Sequence, residues 1–137
     1  MQTRRSIFVL SLGLLMVLAL ACKFSASTAN ISGLKLSKDK AAATETSTFA
    51  PTDTVYAVAT IANAPGKVKV KGSLIIEDAP NEKGPESTID LSGSGTATFT
   101  FTPPASGFPP GKYKIEVTLM DENGDKKDSK SASFTVS

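Results

Sequence analysis

Hydrophobic residues recur at every second position through most of the chain beyond residue 54, and this alternation limits the possible folds more than any other feature. Across residues 67–77, Val68, Val70, Gly72, Leu74 and Ile76 fall on one side while Lys67, Lys69, Lys71 and Glu77 fall on the other. A period of two sends successive side chains to opposite faces of an extended strand, whereas an amphipathic helix repeats every three to four residues. Residues 96–102 follow the same rule with Ala97, Phe99 and Phe101 inward, and 112–120 with Tyr113, Ile115, Val117 and Leu119. Residues 131–136 add Ala132, Phe134 and Val136. Residues 54–63 are rich in β-formers, but their facing is ambiguous because Val55, Ala57, Ala59 and Ile61 alternate with Tyr56 and Val58. Shorter strands are expected at 31–37, through Leu34 and Leu36, and at 87–91, through Ile89 and Leu91. Residues 38–48 have loop composition. Asn63-Ala64-Pro65-Gly66 and Asn123-Gly124 are turn sequences, the second of them a tight hairpin between the last two strands. About seven short strands with Gly and Pro turns and no helix predict an all-β fold, an antiparallel β-sandwich in one domain spanning 31–137.

The segment before the domain has a different character. Arg4 and Arg5 precede an apolar run from Ile7 to Ala21, broken only by Ser11 and Gly13. A membrane-spanning helix needs about 20 apolar residues, and this run has 15 before the chain turns polar. Residues 1–21 therefore read as a secretory signal peptide. The stretch Leu18-Ala19-Leu20-Ala21-Cys22 resembles a bacterial lipobox, in which the cysteine is acylated after cleavage. It departs from the usual pattern in having Ala19 three places before the cysteine, with Leu18 one step early, and Ala19-Leu20-Ala21 also fits ordinary signal cleavage. The lipobox resemblance implies lipid attachment at Cys22, with residues 22–30 as a short Ser, Thr and Ala-rich tether. Lys23 after the cysteine resembles the sorting pattern for an outer membrane where the host has one.

A second resemblance lies near the C-terminus. Phe108-Pro109-Pro110-Gly111-Lys112-Tyr113-Lys114-Ile115 resembles the approach to strand F of immunoglobulin-like and fibronectin type III-like domains. There a tyrosine two residues before an inward core position makes a tyrosine corner. Tyr113 and Ile115 match that pair, and Gly111 opens the turn into the strand. With the stretch from Phe49 to Tyr56 and the terminal Ser133-Phe134-Thr135-Val136, the pattern resembles small bacterial envelope lipoproteins carrying one immunoglobulin-like domain. The small residue Gly72, or nearby Leu74, stands where such a domain often has a tryptophan.

Composition removes most other classes. The chain has 15 Lys and Arg against 13 Asp and Glu. Both arginines precede Cys22, so 13 lysines face 13 carboxylates from that residue onward. Without net positive charge, attraction to nucleic acid through its phosphates loses its main support. With no His and one Cys, His-based triads, His-containing zinc sites and disulfide frameworks are excluded. Asp121-Glu122-Asn123-Gly124-Asp125 begins like a calcium loop, but lysines follow and no glutamate occupies the twelfth position. Ser37-Lys38-Asp39-Lys40 spells S-x-x-K without its partner motifs. Glu82, Glu86 and Asp90 have no evident aromatic platform for a sugar. Lys67, Lys69 and Lys71 form a one-sided basic ladder, a possible binding face for anionic polymer, with Glu77 and Glu116 at hand for cross-strand pairing.

The resemblances and these exclusions together lead to an expectation: no cofactor, no metal and no enzymatic activity, in a module anchored to a membrane by acylated Cys22 and facing away from the cytoplasm. Its expected partner is another protein of the cell envelope. The alternative is a surface adhesin or cell-wall polymer binder using the lysine face.

Overall fold

The computed structural model describes residues 29–137. The expected signal peptide, Cys22 and the expected tether through residue 28 lie outside the described residues. Eight strands and no helix make up the domain: β1 (Asn30–Ser37), β2 (Thr48–Phe49), β3 (Val55–Ala62), β4 (Val68–Ile76), β5 (Lys83–Leu91), β6 (Gly95–Phe101), β7 (Gly111–Asp121) and β8 (Lys126–Val136). They form two sheets, one of three strands in the order β1-β3-β6 and one of five in the order β2-β8-β7-β4-β5.

The alternating residues meet between the sheets. Val55, Ala57, Ala59 and Ile61 of β3 and Ala97, Phe99 and Phe101 of β6 face Val68, Val70 and Leu74 of β4 and the Tyr113, Ile115, Val117 and Leu119 row of β7, all buried in one core. This settles the facing of β3, whose Tyr56 and Val58 turn outward and remain half-buried. Across β3 and β6 small and large residues are matched in register, Ala57 beside Phe99 and Val55 beside Phe101. Ile76, expected inside, packs against the core while partly exposed.

The structure extends several of the expected elements and adds one. Asn30, assigned to the tether, is the first residue of β1. Strand β5 starts at Lys83 rather than residue 87. As the edge of its sheet it pairs only with β4, and its first half, Gly84 apart, is exposed and shows no alternation. The edge position also tolerates Pro85, which has no N–H to give a ladder. Strand β8 starts at Lys126 rather than residue 131, because the hairpin with β7 carries pairing from Gly111 and Val136 up to Met120 and Lys126.

The added strand is β2. It pairs parallel with the end of β8, Thr48 with Thr135 and Phe49 with Val136, so the fold is not wholly antiparallel. Thr135 donates its N–H to Ser47 and Ser137 to Phe49. Two residues leave no period to detect, and their pairing spans nearly the whole domain.

Aromatic rings close one end of the core. Phe134 stacks on Tyr113 with centroids 5.3 Å apart, and Phe49 meets Phe134 edge-on at 5.2 Å. Phe108 lies 6.1 Å from Tyr113 and is held by its N–H donating to Pro51 at 2.8 Å. The Tyr113 hydroxyl donates to the carbonyl of Pro109, clamping the loop before β7 to the strand itself. Gly111 opens β7 with φ of 151°, and a Cβ there would lie 2.6 Å from the Asp78 carboxylate. That carboxylate accepts the N–H of Lys112 at 3.2 Å.

Tyr113→Phe keeps the ring stack and deletes the bond to Pro109. The bond is part-buried, and the expected cost is about 1 kcal/mol. Urea unfolding should show a lower midpoint with an unchanged slope; a midpoint equal to wild type would mean that the clamp contributes nothing.

Candidate functional site

The outer face of the five-stranded sheet carries the lysines that the alternation singled out. Lys69 and Lys71 project from β4, and Lys67 stands just before it. Strand β4 lies between β7 and β5, which places Lys69 opposite Met120 on one side and Asp90 on the other, and Lys71 between Thr118 and Thr88. Lys71 pairs with Glu86 at 3.3 Å, and Glu86 also accepts the Ser73 hydroxyl at 3.5 Å. The lysine ladder is therefore interleaved with β5 carboxylates and is not a free basic stripe.

The partner of Lys71 differs from the sequence expectation. Glu116 stands opposite Ser73 and Ser131, and Glu77 accepts the Ser133 hydroxyl at 3.3 Å. In the unbroken part of the β4–β5 register Glu86 stands opposite Ser73, diagonal to Lys71, which puts its carboxylate beside the ammonium. That pairing depends on the register between two strands, which the residue pattern of neither strand carries.

At one end of this face, Lys67, Lys69, Asp90, Ser92 and Glu122 rim an open groove of about 480 Å³ floored by Val68 and Leu91. Two ammonium groups and two carboxylates at its rim nearly cancel. Such a groove suits a neutral or mixed-charge polypeptide better than a polyanion, since a polyanion would gain from the lysines and be repelled by the acids.

The remaining motifs are parts of turns. Asp121 accepts the N–H groups of Asn123 and Asp125, each at 2.9 Å, and pairs with Lys127 at 3.5 Å. Gly124, at φ of 88°, lets the chain reverse, so the calcium-like stretch is the hairpin that joins β7 to β8. Ser37 is fully buried, and its hydroxyl donates to Asp39 at 3.0 Å. Lys38 turns away to Asp53, 3.2 Å distant. Ile115 is buried between Leu74 and Ala132 in register, and Tyr113 and Gly111 hold the loop described above.

Three of these carboxylates are held below the usual aspartate range by the hydrogen bonds they accept. The Ala43 N–H, then the Ser37 hydroxyl, act on Asp39. The Ala50 N–H, at 2.7 Å, and then Lys38 act on Asp53. The Asp125 N–H leads for Asp121. Burial, followed by the nearby Asp78 charge, pushes the Tyr113 phenol upward.

Depressed carboxylates stabilise the fold above their unfolded pKa, and that contribution disappears as pH falls through the folded value. The melting temperature should stay level from neutral pH to about 5 and fall below about 4. The Asp53→Asn variant should start lower and lose less on acidification. An acid slope identical to wild type would remove Asp53 from the account.

No protein-family model matches the chain, and no curated protein matches it. Among solved structures it is similar to a family 76 glycoside hydrolase from a bovine Bacteroides thetaiotaomicron strain, at 16% identity over 77% of this chain with a TM-score of 0.49. The chain spans only 20% of that enzyme. It is also similar to a Niemann-Pick type C2 protein from Japanese carpenter ant, at 13% identity, covering 82% of this chain and 96% of that one, with a TM-score of 0.46. Neither likeness carries an activity to this chain.

Proposed function

We propose that the chain is an extracytoplasmic lipoprotein, anchored to a membrane of the cell envelope through acylated Cys22 and sorted to the outer membrane where there are two. Its single immunoglobulin-like domain acts as a non-enzymatic module that binds another envelope protein or serves a structural role. The anchor rests on the Leu18 to Cys22 pattern after an apolar run too short to span a bilayer. The immunoglobulin-like reading is supported by the three-plus-five sheet arrangement, by β2 pairing parallel with the last strand, and by the Tyr113 hydroxyl closing back on Pro109.

The observation that carries the protein-binding reading is the neutralised lysine face. Lys71 is paired with Glu86 and Lys69 stands opposite Asp90, so the face presents alternating charge. The second reading, a surface adhesin or cell-wall polymer binder, draws on the groove rimmed by Lys67 and Lys69. Exposed charges act mainly at long range, and salt screens them over about 10 Å at 0.1 M.

One measurement tests the anchor and a second separates the two readings. In cells fed a fatty-acid probe, the wild-type chain should take up label and Cys22→Ser should not, appearing instead in the soluble fraction. Unlabelled wild type outside the cell would replace the anchor with ordinary cleavage after Ala21. In the second, Lys67, Lys69 and Lys71 are all changed to Gln, which leaves the core contacts intact. Photocrosslinking to the envelope partner should persist in this variant and in high salt. Parallel loss of retention on isolated envelope polymer in both conditions, with an unchanged circular dichroism spectrum, would favour the polymer binder.

A further inference from the structure

Every open sheet has two edges, and an edge strand offers unpaired N–H and C=O groups to any extended chain. Three of the four edges here carry a device that discourages such pairing. Strand β1 has a bulge between Ile31 and Gly33, and its start is tied across to β8 by the Ile31 N–H donating to Asp128 at 2.8 Å. Strand β2 is two residues long. Strand β5 carries Lys83, Pro85, Glu86 and Asp90 and a bulge in its pairing with β4.

Strand β6 has none of these. Its seven residues, Gly-Thr-Ala-Thr-Phe-Thr-Phe, hold no charge and no proline. Its register with β3 runs unbroken from Phe101 to Gly95, and no strand pairs with its other side among the described residues. In the face turned to solvent, Thr96 and Thr100 are exposed and Thr98 is half-exposed.

We propose that β6 is a self-association edge, where a second copy of this chain adds its own β6 antiparallel to the first. This deepens the protein-binding reading by naming the partner and the strand. Neutrality argues for a second copy: self-pairing brings no like charges together, which would not hold for β5. Side-chain size argues the same way. A two-fold axis at Thr98, the midpoint of β6, pairs the whole strand and sets Thr98 against Thr98 of the second copy. Thr96 then meets Thr100, Ala97 meets Phe99 and Gly95 meets Phe101, so each large inward ring faces a small residue. Threonine pairs on one face and large-with-small pairs on the other both favour cross-strand contact. The interface is isologous and uses up the edge, so it closes at a dimer.

The test uses the full chain in cells with mild oxidation. Directly opposed residues lie about 5 Å apart at Cβ, within reach of a disulfide, so Thr98→Cys should give a covalent dimer beyond any seen with Cys22 alone. Thr60→Cys lies one strand in from the edge, opposite Thr96, which separates the two copies of that position by about 20 Å, and it should not. Should Thr98→Cys fail to fold, coexpressed Thr96→Cys and Thr100→Cys copies should crosslink with each other. In the Thr98→Cys background, changing Thr96 and Thr100 both to Lys should cut the dimer several-fold, and changing Thr96 to Lys with Thr100 to Glu should restore it.

No dimer from a folded Thr98→Cys chain, equal crosslinking at positions 60 and 98, or ladders beyond the dimer would each overturn the proposal. If photocrosslinkers on β6 capture a different envelope protein and never a second copy, self-pairing fails while edge binding stands. If they capture neither, both fail.

Discussion

The two sheets come into close contact where Phe99 meets Gly72. Phe99 of β6 lays its ring over Gly72 of β4, where a Cβ would sit 2.6 Å from the ring edge. Cys22, the only cysteine, lies before the domain, so no disulfide can join the sheets. What a disulfide supplies in many small exported domains is supplied here by a ring filling the space of a missing side chain, with small Ala57 beside it in register. Interiors are packed densely enough that neither partner can change size alone without cost.

The asymmetry of the molecule's edges follows from how the sheets are closed. On one side β1 is bound to the five-stranded sheet: Ile31 reaches Asp128, Thr46 donates to Leu36, and β2 lies along β8. On the other side β5 and β6 are linked through the turn from Ser92 to Ser94, where Ser94 accepts the Ala64 N–H. Phe99 anchors β6 from within while leaving its outer edge unpaired. The charged surface belongs to the opposite sheet, where Lys71, Glu86 and Ser73 satisfy one another. A neutral, rigid edge and a self-neutralised face both suit contact with protein surfaces better than attraction to polyanions.

Strands with one wet and one buried face were legible from residue order. Val68, Val70 and Leu74, or Tyr113 to Leu119, alternate because each has water on one side and the opposing sheet on the other. The facing of β3 was not legible, since Tyr56 and Val58 are as apolar as Ala57 and Ala59 inside. Strand β2 and the outer halves of β5 and β8 left no pattern, because their order comes from distant backbone partners rather than from burial. Tyr113 was singled out on a local motif, and its acceptor Pro109 lies only four residues away. The Lys71–Glu86 pair was not, since it depends on the register between two strands, which neither strand's own pattern carries. Cys22 and the signal peptide remain a sequence reading, as they lie outside the described residues.

A double-mutant cycle at Gly72 and Phe99, read by urea unfolding, tests the packing most directly. Gly72→Ala alone should cost about 1–3 kcal/mol by overpacking against the ring. In a Phe99→Leu background the ring is gone, and the same change should be nearly neutral. The predicted result is a coupling of about 1 kcal/mol or more, with unchanged denaturant slopes. Additivity within about 0.5 kcal/mol would contradict the account, since it would mean that the sheets are not held by this contact.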